Sequence, residues 1–180
     1  FLAKFDPAGN HLWSKRFGDA TEQLGGSVTV DGSGNVFLTG DFLGSMDFGG
    51  GPLTSAGGQD TFLAKFDPAG NHLWSKRFGD ANAQSPTSVA VDGSGNAFLT
   101  GLFLGSVDFG GGPLTSAGGY DIFLAKFDPA GNHLWSKRFG DANAQSPTSV
   151  AVDGSGNAFL TGLFLGSVDF GGGPLTSAGG

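Results

Sequence analysis

The sequence predicts an all-β fold made of small repeated antiparallel sheets, and three observations lead to that prediction. The segment FLAKFDPAGNHLWSKRFG begins at Phe1, Phe62 and Phe123, so the chain of 180 residues repeats every 61 residues. No part of the sequence places apolar residues at helical spacing. Each unit also contains two Gly- and Asn-containing motifs of the kind that join antiparallel strands.

Composition excludes several classes of function. The formal net charge is −7, and an acidic chain disfavours phosphate backbones and anionic membranes, so we expect no nucleic-acid partner. No apolar run approaches the roughly 18 residues that span a bilayer, so no membrane insertion is expected. The chain has no cysteine, which leaves no disulfide framework and no thiolate zinc site. We expect no cofactor.

Each unit is expected to contribute four strands, which we name A, B, C and D. In the middle of the chain they cover residues 88–91, 97–103, 122–127 and 133–139. The motifs at 92–96 and 128–132 form the A–B and C–D turns, because Gly, Pro and Asn supply the backbone conformations that turns need. The stretch 105–119 is too rich in Gly for a helix and is expected to be an irregular connection. Its equivalent in the first unit could hold a short strand near 46–48.

Strands C and D carry apolar residues on both faces, which is typical of sheets that are covered on both sides. Four-stranded antiparallel units with both faces covered are the blades of a β-propeller, and the sequence predicts this architecture. Strand A, with small residues, suits the crowded centre of the ring, and strand D suits the wide outer edge. Eight positions and their equivalents are expected to be largely buried: Phe62, Phe66, Trp74, Phe78, Val89, Val91, Phe98 and Leu99.

Residues 89–101 (VAVDGSGNAFLTG) and 121–140 (DIFLAKFDPAGNHLWSKRFG) resemble the bacterial SBBP repeat, and the likeness recurs in every unit. That resemblance implies a propeller of about seven blades in large exported proteins. It therefore implies a location that is secreted or on the cell surface of a bacterium. The long Gly-rich insert between strands B and C makes this unit longer than the usual repeat. The family has no general catalytic motif, so no catalytic residue is assigned and the protein is not expected to be an enzyme.

The strand order along the chain is C-D, A-B-C-D, A-B-C-D, A-B, which gives three blades in a single domain of residues 1–180. The repeats cover 1–61, 62–122 and 123–180, and one blade is split between 1–18 and 149–170. Known propellers have about four blades or more, so three blades cannot close a ring within one chain. Two copies that complete each other's split blade would form a homodimeric ring of six blades. A shortened seven-bladed parent is the alternative.

Two sets of residues are candidates for ligand binding. Trp13, Trp74 and Trp135 lie on strand D beside basic residues, and the alternative is that they pack between blades. Asp47, Asp108 and Asp169 lie in the Gly-rich insert. A carboxylate among Gly carbonyls could hold a hard cation, but one carboxylate per site is weak support, so no metal is assigned. The motif at 92–96 lacks the terminal Glu of a calcium loop and is expected to be a hairpin turn.

The function predicted from these features is a non-enzymatic, multivalent binding module, lectin-like, with carbohydrate as the ligand. Repeats copy one environment several times, which suits multivalent binding better than catalysis. The alternative is a structural spacer, or an engineered or amplified repeat scaffold without a ligand, because residues 62–119 and 123–180 are identical. An enzyme ranks third, because the three His residues occupy equivalent places. A single asymmetric site could lie only in the first unit, which differs at 21–26, Asp41 and Met46.

Overall fold

A computed structural model describes residues 1–178. It confirms the all-β class with repeated small antiparallel sheets, and the described residues include no helix that could cross a membrane. The strands of this part of the chain are β1 (Leu2–Phe5), β2 (His11–Lys15), β3 (Gln23–Val30), β4 (Val36–Phe42), β5 (Ser45–Asp47), β6 (Pro52–Thr54), β7 (Asp60–Phe66), β8 (His72–Phe78), β9 (Gln84–Val91), β10 (Ala97–Phe103), β11 (Ser106–Asp108), β12 (Pro113–Thr115), β13 (Asp121–Phe127), β14 (His133–Phe139), β15 (Gln145–Val152), β16 (Ala158–Phe164), β17 (Ser167–Asp169) and β18 (Pro174–Thr176).

Two complete blades stand in the middle of the chain. The first has the strand order β3-β4-β7-β8 and the second has the order β9-β10-β13-β14, and all neighbours are antiparallel. These are the predicted strands A, B, C and D in sequence order. The pairing of B with C has the same register in both blades, since Gly40 faces Phe62 and Gly101 faces Phe123. The repeat in sequence is therefore a repeat in hydrogen bonding.

The Gly-rich insert is more ordered than expected, and the prediction of four strands per unit was wrong. Each insert forms a small hairpin, β5–β6, β11–β12 or β17–β18, so a unit has six strands. In the first hairpin the backbone φ is +113° at Gly49 and +103° at Gly51, a region that glycine enters without steric strain. The three consecutive glycines that suggested an irregular connection are the residues that make this tight turn possible.

Strand A is longer than predicted, because β9 begins at Gln84 rather than at residue 88. The added part of the strand contains Pro86, which lacks the N–H that a sheet ladder uses. The structure accommodates it at a register shift between Thr100 and Gly101, and bulges are places where strands tolerate proline. A Cβ at Gly101 would lie 2.6 Å from Cα of Pro86, so this close approach requires glycine.

The hydrophobic cores lie between neighbouring blades. One core joins Phe37 and Leu63 of the first complete blade to Val89, Leu99 and residues of β13 in the second. The inner strands β3, β9 and β15 are neighbours, as expected for strand A at the centre. The predicted burial is confirmed for Phe62, Phe66, Phe78, Val89, Phe98 and Leu99, whereas Trp74 and Val91 are only half-buried.

The two ends of the chain are half-blades. Strands β1–β2 form one two-stranded sheet and β15–β16 form another, and β1 does not pair with β16 within the chain. The expectation that every equivalent of the core residues is buried was therefore wrong at both ends. Five of these equivalents are exposed, because no strand of residues 1–178 covers them. They are Phe1, Phe5, Val28, Val30 and Phe159.

Candidate functional site

The predicted tryptophans lie on the outer strands and face the following blade. Nε1 of Trp74 donates a hydrogen bond of 3.2 Å to the carbonyl oxygen of Pro129, and Nε1 of Trp13 donates one of 3.4 Å to Pro68. Each indole thus reaches the C–D turn of the next blade. Trp135 occupies the equivalent place on β14, and all three side chains are half-buried. The Nε1 atoms of Trp13 and Trp74 therefore join blades, while part of each of the three rings stays accessible.

The predicted aspartates lie at the tips of the small hairpins. Oδ1 of Asp47 accepts hydrogen bonds from the backbone N–H groups of Gly49 at 2.7 Å and Gly51 at 3.1 Å. Asp108 and Asp169 make the same two contacts in their own hairpins. Each carboxylate therefore closes a turn, which accounts for an Asp at this position in every unit.

The structure does not bring the two predicted sets together. Within residues 1–178, no hydrogen bond joins one of these tryptophans to one of these aspartates. In the same part of the chain, no three His, Asp or Glu side chains converge as metal ligands would. A ligand that used both sets would have to extend from the strand D edge to a hairpin tip.

The A–B turns have a fixed internal structure. In the first complete blade, Oδ1 of Asp31 accepts hydrogen bonds of 2.9 Å from the backbone N–H groups of Ser33 and Asn35, and Oδ2 accepts one of 2.8 Å from Nδ2 of Asn35. Asp92 makes the same contacts in the second blade. The motif that partly resembles a calcium loop is thus a hairpin turn whose carboxylate is already bound by the turn itself, as predicted.

Sequence reasoning missed a lysine that lies between these turns. Lys65 on β7 is almost fully buried, and its Nζ lies 3.7 Å from Oδ2 of Asp31. The same Nζ donates a hydrogen bond of 3.1 Å to the carbonyl oxygen of Pro129 in the next blade and lies 4.8 Å above the ring of Phe37. The ammonium group of Lys65 therefore contacts the A–B turn of its own blade and the C–D turn of the next blade.

The second complete blade repeats this arrangement. Nζ of Lys126 lies 3.3 Å from Oδ2 of Asp92 and 4.5 Å above the ring of Phe98. The signal that could have revealed it was present in the sequence. Every unit has a lysine near the middle of the apolar strand FLAKF, and a lysine in a buried strand needs a partner for its charge.

The environment of Asp31 favours its charged form. Burial by itself would raise the pKa of Asp31. The hydrogen bonds from Asn35 and Ser33, together with the positive charge of Lys65, outweigh burial and hold the pKa below its usual value. The pKa of Asp92 is lowered by the same balance. Both carboxylates are therefore ionised at neutral pH.

A polar cleft opens where the two complete blades meet, and we call it the inter-blade cleft. It encloses about 440 Å³. Its polar lining consists of Asp31, Ser33, Asn35, Lys65, Ser94 and the backbone at Pro129. The side chains of Ser33 and Ser94 are exposed, one from each of the two A–B turns. The cleft thus offers two hydroxyl groups beside an ion pair in which the charges of Asp31 and Lys65 compensate each other.

The comparisons with known proteins bear on the repeat. Residues 73–102 and 134–163 match the SBBP family, described as a beta-propeller repeat. The resemblance is confirmed. Each matched SBBP segment runs from strand D of one blade through strands A and B of the next, so it includes the A–B turn and ends before the Gly-rich insert. The part that matches is the part that joins consecutive blades.

Two curated relatives cover most of the chain. An uncharacterized WD repeat-containing protein of Acanthamoeba polyphaga mimivirus is 25% identical over 197 residues, which include 91% of this chain and 14% of that protein. The regulatory protein FlaEY of Caulobacter vibrioides is 28% identical over 163 residues, which include 86% of this chain and 17% of that protein. The chain therefore spans less than a fifth of the length of either relative.

Proposed function

We propose that the chain is a non-enzymatic propeller module that binds a hydroxyl-rich ligand, such as a carbohydrate, in its inter-blade clefts. The observation that carries this proposal is the cleft of about 440 Å³ between the complete blades. Its polar groups come from turns and strands that recur in each unit. A likeness to SBBP repeats and to a WD repeat-containing protein supports a module for binding rather than for catalysis.

The chemistry of the cleft favours a neutral polar ligand. The charges of Lys65 and Asp31 compensate each other, so the cleft offers little net charge to attract an ion. The hydroxyl groups of Ser33 and Ser94 can both donate and accept hydrogen bonds, as sugar hydroxyl groups do. The net charge of −7 for the whole chain further disfavours polyanions.

Repetition makes such binding multivalent. The residues of the first cleft recur one unit later as Asp92, Asn96 and Lys126, with the half-blade at the end of the chain supplying the next A–B turn. A polymer with repeated sugar units could therefore contact successive clefts. Linked contacts of this kind raise the overall affinity without any new contact at the single cleft.

A glycan array probed with residues 1–180 tests the proposal, followed by titration of any hit. The variant that replaces both Ser33 and Ser94 by Ala removes the two hydroxyl groups and keeps the backbone hydrogen bonds of both turns. It should weaken binding by about tenfold or more. The matched control is Ser14→Ala, an exposed serine on β2 outside the cleft, which should leave binding unchanged. Equal binding by both variants would contradict the assignment to this cleft.

The second candidate function is a structural spacer without a ligand. It is favoured by the observation that the indoles of Trp13 and Trp74 and the carboxylates of Asp47 and Asp108 already bond to backbone within the chain. If residues 1–180 bind no glycan on the array at micromolar concentration, the spacer is the better description.

We also propose that two copies of the chain close a ring of six blades. The half-blades at the two ends support this, because one lacks strands A and B and the other lacks strands C and D. Light scattering during size-exclusion chromatography tests it at micromolar concentration. The expected mass is twice 18.1 kDa, and a stable monomer would rule the ring out.

A further inference from the structure

An apolar groove lies at the N-terminal end of the chain, between β1 and strand β3 of the first complete blade. It encloses about 490 Å³ and is lined mainly by Phe1, Ala3, Phe5, Leu24, Val28 and Leu38. We call it the N-terminal groove. In a complete blade, the space beside strand C is filled by strand B, which in turn pairs with strand A. The groove therefore lies beside β1, at the place that strands A and B occupy in a complete blade.

The same sequence positions are covered wherever a neighbour exists. Phe1 is 95% exposed, whereas its equivalents Phe62 and Phe123 are 2% and 0% exposed. Val28 is 54% exposed, and its equivalents Val89 and Val150 are both 5% exposed. These side chains are exposed where no strand of residues 1–178 lies beside them, and they are buried at the internal copies, where a neighbouring strand is present.

At the opposite end of the chain, strand B is exposed along the edge where a complete blade has strand C. Phe159 on β16 is 62% exposed, although its equivalents Phe37 and Phe98 are 0% and 1% exposed. Strand β16 pairs with β15 along one edge and has no strand C on the other. Strands A and B would fill the N-terminal groove, and these are the two strands, β15 and β16, of the C-terminal half-blade.

We propose that the N-terminal groove binds β15 and β16 of a second copy of this chain, with β16 aligned antiparallel to β1. The inference rests on the proposed self-association and names its contact surface and register. It extends an interface already present twice inside the chain, between consecutive blades. No new kind of packing is required, because the incoming strands have the same seven-residue B sequence as β10.

The register follows from the two complete blades, where strands B and C pair identically. Leu38 faces Ala64 and Leu99 faces Ala125. Transferred to the ends of the chain, these pairs place Leu160 opposite the second copy's Ala3. The full register is Ala158 with Phe5, Phe159 with Lys4, Leu160 with Ala3, Thr161 with Leu2, and Gly162 with Phe1.

One buried hydrogen bond fixes the same register. Oγ1 of Thr39 donates to the carbonyl oxygen of Phe62 at 2.6 Å, and Oγ1 of Thr100 donates to that of Phe123 at 2.8 Å. Thr161 is the equivalent donor on β16 and is exposed, and its acceptor would be the carbonyl oxygen of Phe1 in the second copy. A slip by one residue would turn this hydroxyl to the other face of the sheet.

A pair of residues distinguishes this contact from the internal ones. Where the first complete blade meets the second, Asp41 contacts Ser85. The positions that correspond to them at the proposed contact are occupied by Leu163 and Leu24, which are 60% and 49% exposed. A polar pair inside the chain is thus replaced by an apolar pair between copies, where exposed leucines gain from mutual burial.

Disulfide trapping with residues 1–180 tests the register, because the chain has no cysteine of its own. Residues directly opposite in an antiparallel pair have Cα atoms about 4.5–5.5 Å apart, within the range of a disulfide. The variant with Ala3→Cys and Leu160→Cys should form covalent dimers on mild oxidation. The matched control carries Ala3→Cys and Thr161→Cys, which places one thiol on the opposite face, and it should form few dimers.

Affinity gives a second, independent readout. Phe1→Ser should weaken self-association by about tenfold or more, and it cannot harm the monomer through lost packing because Phe1 is 95% exposed. The control Leu12→Ser changes a residue that is exposed in every unit, and it should have no effect. A monomer at all concentrations would overturn both the self-association and this inference. A dimer that gives equal trapping for both cysteine pairs, or that tolerates Phe1→Ser, would overturn this inference alone.

Discussion

The hydroxyl group of Ser85 donates a hydrogen bond of 2.6 Å to the carboxylate of Asp41 in the preceding blade. The other carboxylate oxygen, Oδ1, is buried and has no hydrogen-bond partner among the described residues. Burial raises the pKa of Asp41, the bond from Ser85 opposes that rise, and the negative charge of Glu22 adds to it. Asp41 is therefore a buried carboxylate with an unsatisfied oxygen, at a position where the later units have leucine.

Replacing Asp41 by Leu should stabilise the fold at neutral pH by about 1–3 kcal/mol, because it removes a buried and incompletely bonded carboxylate. A raised pKa in the folded state means that ionised Asp41 lowers stability as the pH rises through that pKa. The advantage of the variant should therefore shrink as the pH falls and Asp41 becomes protonated. Urea unfolding of parent and variant at pH 4 and pH 7 measures the difference in their free energies of unfolding. The same difference at both pH values would contradict a raised pKa for Asp41.

Replacing Trp74 by Ala should destabilise the fold by about 2–3 kcal/mol, somewhat less than the ~3–5 kcal/mol of a fully buried aromatic residue. The indole meets the ring of Phe37 edge-on with centroids 6.0 Å apart and bonds to the next blade, but it is only half-buried. Leu73→Ala is the matched control on the same strand, and its exposed side chain should cost within about 0.5 kcal/mol. Similar losses for the two variants in chemical denaturation would show that Trp74 does not join the blades.

Replacing Lys65 by Met should cost about 1–3 kcal/mol, because Asp31 then loses its counter-ion in a nearly buried site. The pKa of Asp31 is lowered in the folded state, so this stabilisation exists above the unfolded pKa and is lost as the pH falls through the folded pKa. Lys4→Met is the control, since Lys4 makes the equivalent bond to Pro68 but has no carboxylate partner among the described residues. The expected loss is larger for Lys65 at pH 7, and equal losses would argue against the ion pair.

Replacing Asp108 by Ala should cost about 0.5–1.5 kcal/mol for each hydrogen bond that it makes to Gly110 and Gly112. The carboxylate acts as a turn cap, so millimolar Ca²⁺ should leave the melting temperature of the parent protein unchanged. Differential scanning fluorimetry with and without Ca²⁺ checks both expectations. A rise in melting temperature with Ca²⁺ that disappears in the variant would instead identify a cation site.

The repeat made the fold largely predictable from the sequence. Apolar faces on both sides of strands C and D, with turn motifs between strands, were sufficient for the strand order, because these signals are local. The hairpin at Asp108 was missed because consecutive glycines indicate flexibility unless a side chain fixes them. The lysine in the apolar strand FLAKF was a local signal for a buried charge, but the partners of Lys65 were missed because Asp31 and Pro129 lie in turns that are distant in sequence. Secretion to a bacterial surface stays a prediction.

Strands β10 and β16 carry the same seven residues, AFLTGLF, and only β10 pairs with β13. Strand β13 offers both the same ladder of hydrogen bonds, and the shorter connection favours β10 by only about 0.5 kcal/mol. During synthesis the N-terminal parts fold first, so β10 can occupy β13 before β16 has left the ribosome. Refolding of the complete chain from denaturant removes that order of events. Two equivalent strands then compete for one edge, and misassembled species in which β9 and β10 have no strand C to pair with become kinetically accessible.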